Sequence, residues 1–163
     1  MLKTAIFVIL GFAGTAVLLL VVLAALSRSG KPPGLVDGRL SACPDSPNCV
    51  CSESCSDALH YIEPVAVEPL SNPHPLAAIR EVITDMGGVI LEDDGAYLAA
   101  SFSSTLFGFV DDLEVRVEPQ DSVIHVRSAS RAGYGDAGVN RKRAELLRKL
   151  YTEKSAREMH DDS

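Results

Sequence analysis

The chain has no GxSxG elbow, no GxxxxGK[ST] phosphate loop and no HExxH helix, so three common platforms for hydrolysis, nucleotide chemistry and zinc proteolysis are missing. It has no tryptophan and no internal repeat. No CxxC pair occurs, which removes the usual knuckle of a zinc site and the usual dithiol of a redox motif. Basic residues are in deficit: 15 Lys and Arg stand against 22 Asp and Glu, a formal net charge of -7 that repels nucleic acid on average. Nucleic acid is not an expected partner.

Charge is absent altogether from Ala5 to Leu26, 22 consecutive positions. At about 1.5 Å per residue a helix over that run reaches roughly 33 Å, against a hydrocarbon core of about 30 Å. The run is longer than the 7 to 15 apolar residues (roughly) of a cleaved signal sequence, and it reads as a retained transmembrane anchor. Leu23-Ala24-Ala25 keeps a cleaved leader open as the alternative. Leu40-Ser41-Ala42-Cys43 has the look of a lipoprotein cleavage box, but it follows Arg28, Lys31, Pro32, Pro33 and Arg39, too far past the apolar run to be one.

The 163 residues then divide into a tail at 1–4, the anchor at 5–26, a linker at 27–42, one domain at 43–155 and a charged tail at 156–163. About 120 residues outside the anchor and linker suffice for a single core and no second domain. Ser27 to Pro33 reads SRSGKPP, a spacer expected to lift the domain off the bilayer.

Four cysteines, Cys43, Cys49, Cys51 and Cys55, fall within 13 residues. An even number so clustered suits two disulfides in an oxidising compartment, while four thiolates closing on zinc, or free thiols, compete with that reading. The prolines Pro44 and Pro47 predict an irregular cross-linked loop here. Orientation is contested. Lys3 against Arg28, Lys31 and Arg39 favours a cytoplasmic domain by the positive-inside rule. The cysteines favour the outer, periplasmic face, and that is the expectation adopted.

Further along, Tyr61 to Val67 predicts an edge strand broken by Pro64. Asn72 as N-cap with Pro73 behind it opens a helix through Leu76, Ile79, Ile83 and Met86, which Gly87-Gly88 stops. Val89–Leu91 and Tyr97–Phe102 flank the turn Asp93-Asp94-Gly95. Leu113, Val115 and Val117 alternate with Asp112, Glu114, Arg116 and Glu118, so one face of that strand should be buried and the other wet. Asp111 and Asp112, as neighbours, point to opposite faces and form no carboxylate dyad. Val123 to Ala129 gives one more strand, and Val139, Leu146, Leu147 and Leu150 a second helix. The expected fold class is α+β: a transmembrane helix, then an antiparallel sheet of about four strands with two helices on one face.

The densest polar segment is Ser128 to Arg143, SASRAGYGDAGVNRKR. Gly133, Gly135 and Gly138 match GxGxxG, yet no second parallel strand and no ribose-binding acid follow, so a dinucleotide fold is not the expectation. A glycine-rich turn opening a helix still points amide donors outward, and Arg131, Arg141 and Arg143 can add charge-assisted bonds to an anion. Arg131, Tyr134, Asp136, Asn140, Arg141 and Arg143 are therefore the candidate ligand-binding residues. The competing structural reading has Asp136 capping the helix, Arg131 or Arg143 pairing with a sheet carboxylate, and Tyr134 packing over the loop. His60, His74, His125 and His160 lack metal-ligand spacing and read as solvated. The basic run from Arg141 to Lys149 reads as a solvated helix face, with attraction to anionic headgroups near the tether as the functional alternative.

Two segments, CPDSPNCVCS at Cys43 to Ser52 and the one from Ser128 to Arg143, resemble the signatures of domain-of-unknown-function family 1499, small bacterial and plastid proteins. The resemblance runs from about Leu40 to Leu150. It implies a domain often placed behind a membrane or export segment, with no defined catalytic residues. The family's first segment has Ser where this chain has Cys51, which implies pairing of Cys43 with Cys49 and of Cys51 with Cys55. The expected function is a membrane-anchored, non-enzymatic envelope module that binds a partner protein or small anionic ligand through Arg131–Arg143, without metal or cofactor. An enzyme, thiol-redox or acting on an anionic substrate, and a cytoplasmic four-cysteine zinc protein are the alternatives.

Overall fold

The computed structural model describes residues 2–53, 58–67 and 75–161. The uncharged run lies within helix α1 (Leu2–Ser29), which is long and apolar enough to cross a membrane. After it come the short pair β1 (Leu35–Val36) and β2 (Arg39–Leu40), then β3 (Cys49–Cys51), β4 (Val65–Ala66) and helix α2 (Pro75–Asp85). A meander follows, β5 (Val89–Asp93), β6 (Tyr97–Ser103), β7 (Val110–Glu118) and β8 (Val123–Ser130), and the chain closes in α3 (Val139–Asp161).

The main sheet is antiparallel in the order β3-β8-β7-β6-β5, and β4 pairs with the other end of β8, on the edge that β3 also uses. The α+β class is as expected, but among the described residues the main sheet has six strands rather than about four. β3 is the strand not expected, while β4 falls within the edge strand expected over Tyr61 to Val67 and is shorter than it. Cys49–Cys51, expected inside an irregular loop, pairs with Ala129 to Arg127, because the prolines that forbid a strand lie upstream of Cys49.

Local chemistry sets the element ends. Helix α2 buries Leu76, Ile79, Val82 and Ile83 at helical spacing. It ends in a Schellman turn, with the Gly88 amide on the Ile83 carbonyl and Gly87 at φ 86°, where glycine carries no steric cost. Between β5 and β6 the Asp94 carboxylate accepts from the amides of Ala96 and Tyr97. The N-cap expected at Asn72 and Pro73, and His74, lie outside the described residues.

Both helices cover one face of the sheet. There Ile79, Ile83, Leu98, Leu113, Val115, Ile124 and Leu147 are buried in a single cluster. On α3 the buried apolar residues are Ala144, Leu147 and Tyr151, whereas Val139 and Leu146 of the expected stripe face outward. His60, expected in solvent, is buried with Nε2 at 3.2 Å from the Ser46 carbonyl.

The second face departs most from expectation. Asp112, Glu114 and Arg127 on it are buried rather than wet, and Glu114 has 0% exposure. Glu114 Oε2 accepts from Arg127 at 2.8 Å, directly across the β7–β8 pair, while Oε1 accepts from the Tyr97 hydroxyl at 2.7 Å and the Gly34 amide at 3.0 Å. On one side Arg131 grips Asp112, with the closest contact at 2.6 Å; on the other Arg116 grips Glu53, also at 2.6 Å. Glu53 in turn accepts from the Leu40 amide. Burial pushes the Glu53 carboxyl up, but bonds from Arg116 and the Leu40 amide outweigh it and hold its pKa below the ordinary value.

The cover is supplied in part by the segment expected to be a spacer. Residues 30–43 lie along this face, with Leu40 buried against Cys51, Tyr97 and Ala99, and with Gly34 and Leu40 donating to buried carboxylates. Alternation correctly separates the two faces; it does not reveal that a strap of the same chain will satisfy the charged one.

Removing one member of a buried pair leaves its partner's charge uncompensated. Glu114→Ala is expected to lower unfolding stability by about 3–5 kcal/mol, with most of the loss recovered when Arg127→Met is added. Denaturant unfolding followed by circular dichroism checks this; a loss below about 1 kcal/mol, the worth of an exposed pair, contradicts it.

Candidate functional site

At the end of β8 the chain must turn through 131–138 and enter α3. Gly133 takes φ 94° and Gly138 φ 77°, values that the missing side chain permits, and Ala137 at φ 53° shares the left-handed conformation. Asp136 holds the turn. Its Oδ1 accepts from the Gly138 amide at 2.9 Å and its Oδ2 from the Asn140 amide at 2.7 Å, while its carbonyl takes the Val139 amide. Burial raises the Asp136 pKa, but these bonds outweigh it and leave the carboxyl below its ordinary 3.8.

Asn140, only 1% exposed, is the hub. Its Oδ1 accepts from the Ser128 hydroxyl at 2.6 Å and Arg143 at 2.7 Å. Its Nδ2 lies at 2.8 Å from Asp136 Oδ2, 3.0 Å from the Asn48 carbonyl and 3.0 Å from Ser130 Oγ. Asn48 also donates to the Gly133 carbonyl at 2.6 Å. The two signature segments thus meet through Asn48 and Asn140.

The expected site residues part company here. Asp136, Asn140 and Arg143 converge. Arg143 also reaches Asp111 at 2.7 Å and lies over the Phe102 ring, 4.7 Å from its centroid. Arg131 sits on the opposite sheet face against Asp112, so the adjacent Asp111 and Asp112 each receive one arginine. Arg141 donates to the carbonyls of Tyr61 and Leu59. Tyr134 stands 77% exposed rather than packed over the loop. Asn48, Asp111, Ser128 and Ser130 are not among the candidate residues that the sequence marks, although Asn48 lies inside the first signature segment, Ser128 and Ser130 lie inside the second, and Asp111 is considered only as half of a dyad.

The chemistry of this cluster follows from its bonds. The amides of Gly138, Val139 and Asn140 at the start of α3 all go to Asp136, so the chain places its own anion where an external one would bind. Ser128 donates to an amide oxygen, which takes no proton, and so has no base in this contact. Beside the loop a recess of about 340 Å³ is lined by Pro47, Val50, Leu59, Gly135, Asp136 and Arg141, among others. A larger cavity, about 620 Å³, lies at the far end between α2 and the β7–β8 turn and includes none of these residues.

Cys43 and Cys49 form a disulfide, with Cα atoms 5.6 Å apart, as the resemblance implied. Two of the four thiolates that a zinc site would need are thereby committed. Cys51 is buried, with Sγ 3.0 Å from the Glu53 carbonyl; Cys55 lies outside the described residues.

Residues 39–150, more than half of the chain, match the family described as protein of unknown function, DUF1499. The chain belongs to that family. The matched region of DUF1499 takes in both signature segments, the disulfide, the strand pairs that carry the arginines and the first half of α3, and it leaves out α1. A comparison with curated proteins returns no match.

The lowered Asp136 pKa has a definite sign. A carboxyl whose folded pKa lies below its unfolded one contributes stability above the unfolded value and loses it as pH falls through the folded value. Stability is expected to fall as pH drops below 3.8, the ordinary value, and the fall should be shallower in Asp136→Asn. Unfolding curves across that range check it; identical slopes in the two proteins contradict it.

Proposed function

We propose that this DUF1499 chain is a membrane-anchored, non-enzymatic envelope module on the outer, periplasmic face that docks a partner protein at the loop between β8 and α3. The observation that carries the reading is the exposed Tyr134 beside the recess lined by Pro47, Val50, Leu59 and Gly135, on a loop braced beneath by Asn140. An aromatic side chain with an apolar pocket at its side, on a rigid support, is the form of an interface anchor. Helix α1 supports the anchor, being long and apolar enough to span, and the Cys43–Cys49 disulfide fits an oxidising compartment.

Between the two ligand classes the partner protein is favoured. Arg131 and Arg143 are committed to Asp112 and Asp111, and Asp136 occupies the helix start, so a small anion would have to displace an internal partner. Arg141 is the exception: among the described residues its bonds go to neutral carbonyls, at the rim of the recess.

The test has two arms. A reporter fused after Ser163 should be active outside the cytoplasm; cytoplasmic activity removes the location. A photo-crosslinking residue at position 134, in the full chain in its own membranes, is expected to give one discrete protein adduct. That adduct should be absent with the crosslinker at position 120 and lost when Gly135→Arg fills the recess. An equal yield from positions 134 and 120 would remove the docking site.

A further inference from the structure

Helix α1 is bound to the domain at its last turn. Ser27, 1% exposed, accepts from the Val110 amide at 2.8 Å and donates to the Val110 carbonyl at 3.2 Å. Arg28 Nε donates to the Gly108 carbonyl at 3.1 Å and its Nη2 to the Phe107 carbonyl at 2.7 Å. Arg131, already on Asp112, donates to the Gly30 carbonyl at 2.5 Å. These bonds hold the β6–β7 loop, residues 104–109, at the level of the helix end. The fit is close: Gly108 has φ 67°, and a Cβ there would collide with the Arg28 guanidinium.

That loop carries Leu106, 82% exposed, beside Phe107, whose ring meets Phe109 edge-on at 6.3 Å. One exposed leucine means little by itself. Its depth supplies the meaning. If Ala5–Leu26 fills the hydrocarbon core, roughly 33 Å of helix against about 30 Å, then Arg28 stands at the boundary with the headgroups. The carbonyls it holds stand there with it. Leu91, also exposed, lines the same groove as Arg28, Lys31 and Val110.

The geometry points to a second membrane contact: Leu106 and Phe107 enter the bilayer interface beside the anchor, so the domain rests on the lipid surface rather than standing off it. This goes beyond partner docking and rests on one part of the proposed function, that α1 spans a membrane. Apolar side chains on a loop at headgroup depth gain by leaving water, and the Arg28 guanidinium remains at the level where charge is tolerated. The turn between β7 and β8 lies at the opposite end of the sheet. Eight steps of strand from Val110 to Glu118 at about 3.3 Å place that turn roughly 26 Å away along β7.

The chain contains no tryptophan, so one introduced residue reports alone. Leu106→Trp and Gln120→Trp are made in the full chain and reconstituted in phosphatidylcholine vesicles with brominated acyl chains. Phe107→Trp, aromatic for aromatic, serves as a second reporter should Leu106→Trp fail to fold. We expect blue-shifted emission and strong quenching at position 106 or 107, and water-like, unquenched emission at position 120. Protein that stays with the vesicles through an alkaline wash, yet is quenched no more at 106 and 107 than at 120, overturns the proposal and leaves the anchor standing. Blue-shifted emission without quenching also overturns it, since the loop then meets protein. Protein released by the wash overturns the anchor, and the loop contact with it.

Discussion

A carboxylate with no access to water stands at the centre of the sheet's second face, and the surrounding chain is arranged around that fact. Glu114 needs donors on every side, and it finds them in Arg127 on one neighbouring strand, Tyr97 on the other, and the Gly34 amide of a segment 80 positions upstream. The Tyr97 hydroxyl is raised in pKa by burial first and by its bond to Glu114 second, so it stays a donor. Flanked by Arg131 on Asp112 and Arg116 on Glu53, the three pairs form a ladder across β7 and β8. Its cover is residues 30–43, which tie the end of α1 to the domain.

The same two strands present a second polar assembly on their other face, at the end nearest α1. Asp111 and Asp112 are neighbours in sequence and opposite in direction; one takes Arg143 of the Asn140 hub, the other Arg131 of the ladder. Arg131 and Arg143 come from opposite sides of the glycine-rich turn, so that segment straddles the end of the sheet where β8 stops. The polar residues that look like a binding set in the sequence are, in their bonds, a bracing set. What they brace is the exposed loop with Tyr134 at its tip.

Much of this was legible. Period-2 alternation placed Leu113, Val115 and Val117 on one face, helical spacing found α2, and Asp93-Asp94-Gly95 gave the hairpin. The α+β class followed from that order of elements. The edge strand β3 was harder, because three residues carry little pattern and gain their pairing from β8, and of the edge strand expected over Tyr61 to Val67 only Val65 and Ala66 make β4. The cover on Glu114 was invisible, since alternation says which residues share a face and nothing about what lies over it. For the site, the residue types around Ser128 to Arg143 marked the right place. Their roles depended on Asp111, Asp112 and Asn48, which come from distant parts of the chain.

The central claim, that residues 30–43 are built into the domain through buried carboxylates, is tested most directly by amide hydrogen exchange in the full chain. The amides of Gly34 and Leu40 point at Glu114 and Glu53, so they should exchange slowly, at rates that approach those of Leu113 and Val115 in β7. Fast exchange at Gly34 and Leu40 beside a protected β7 would contradict the account and return the segment to a loose spacer.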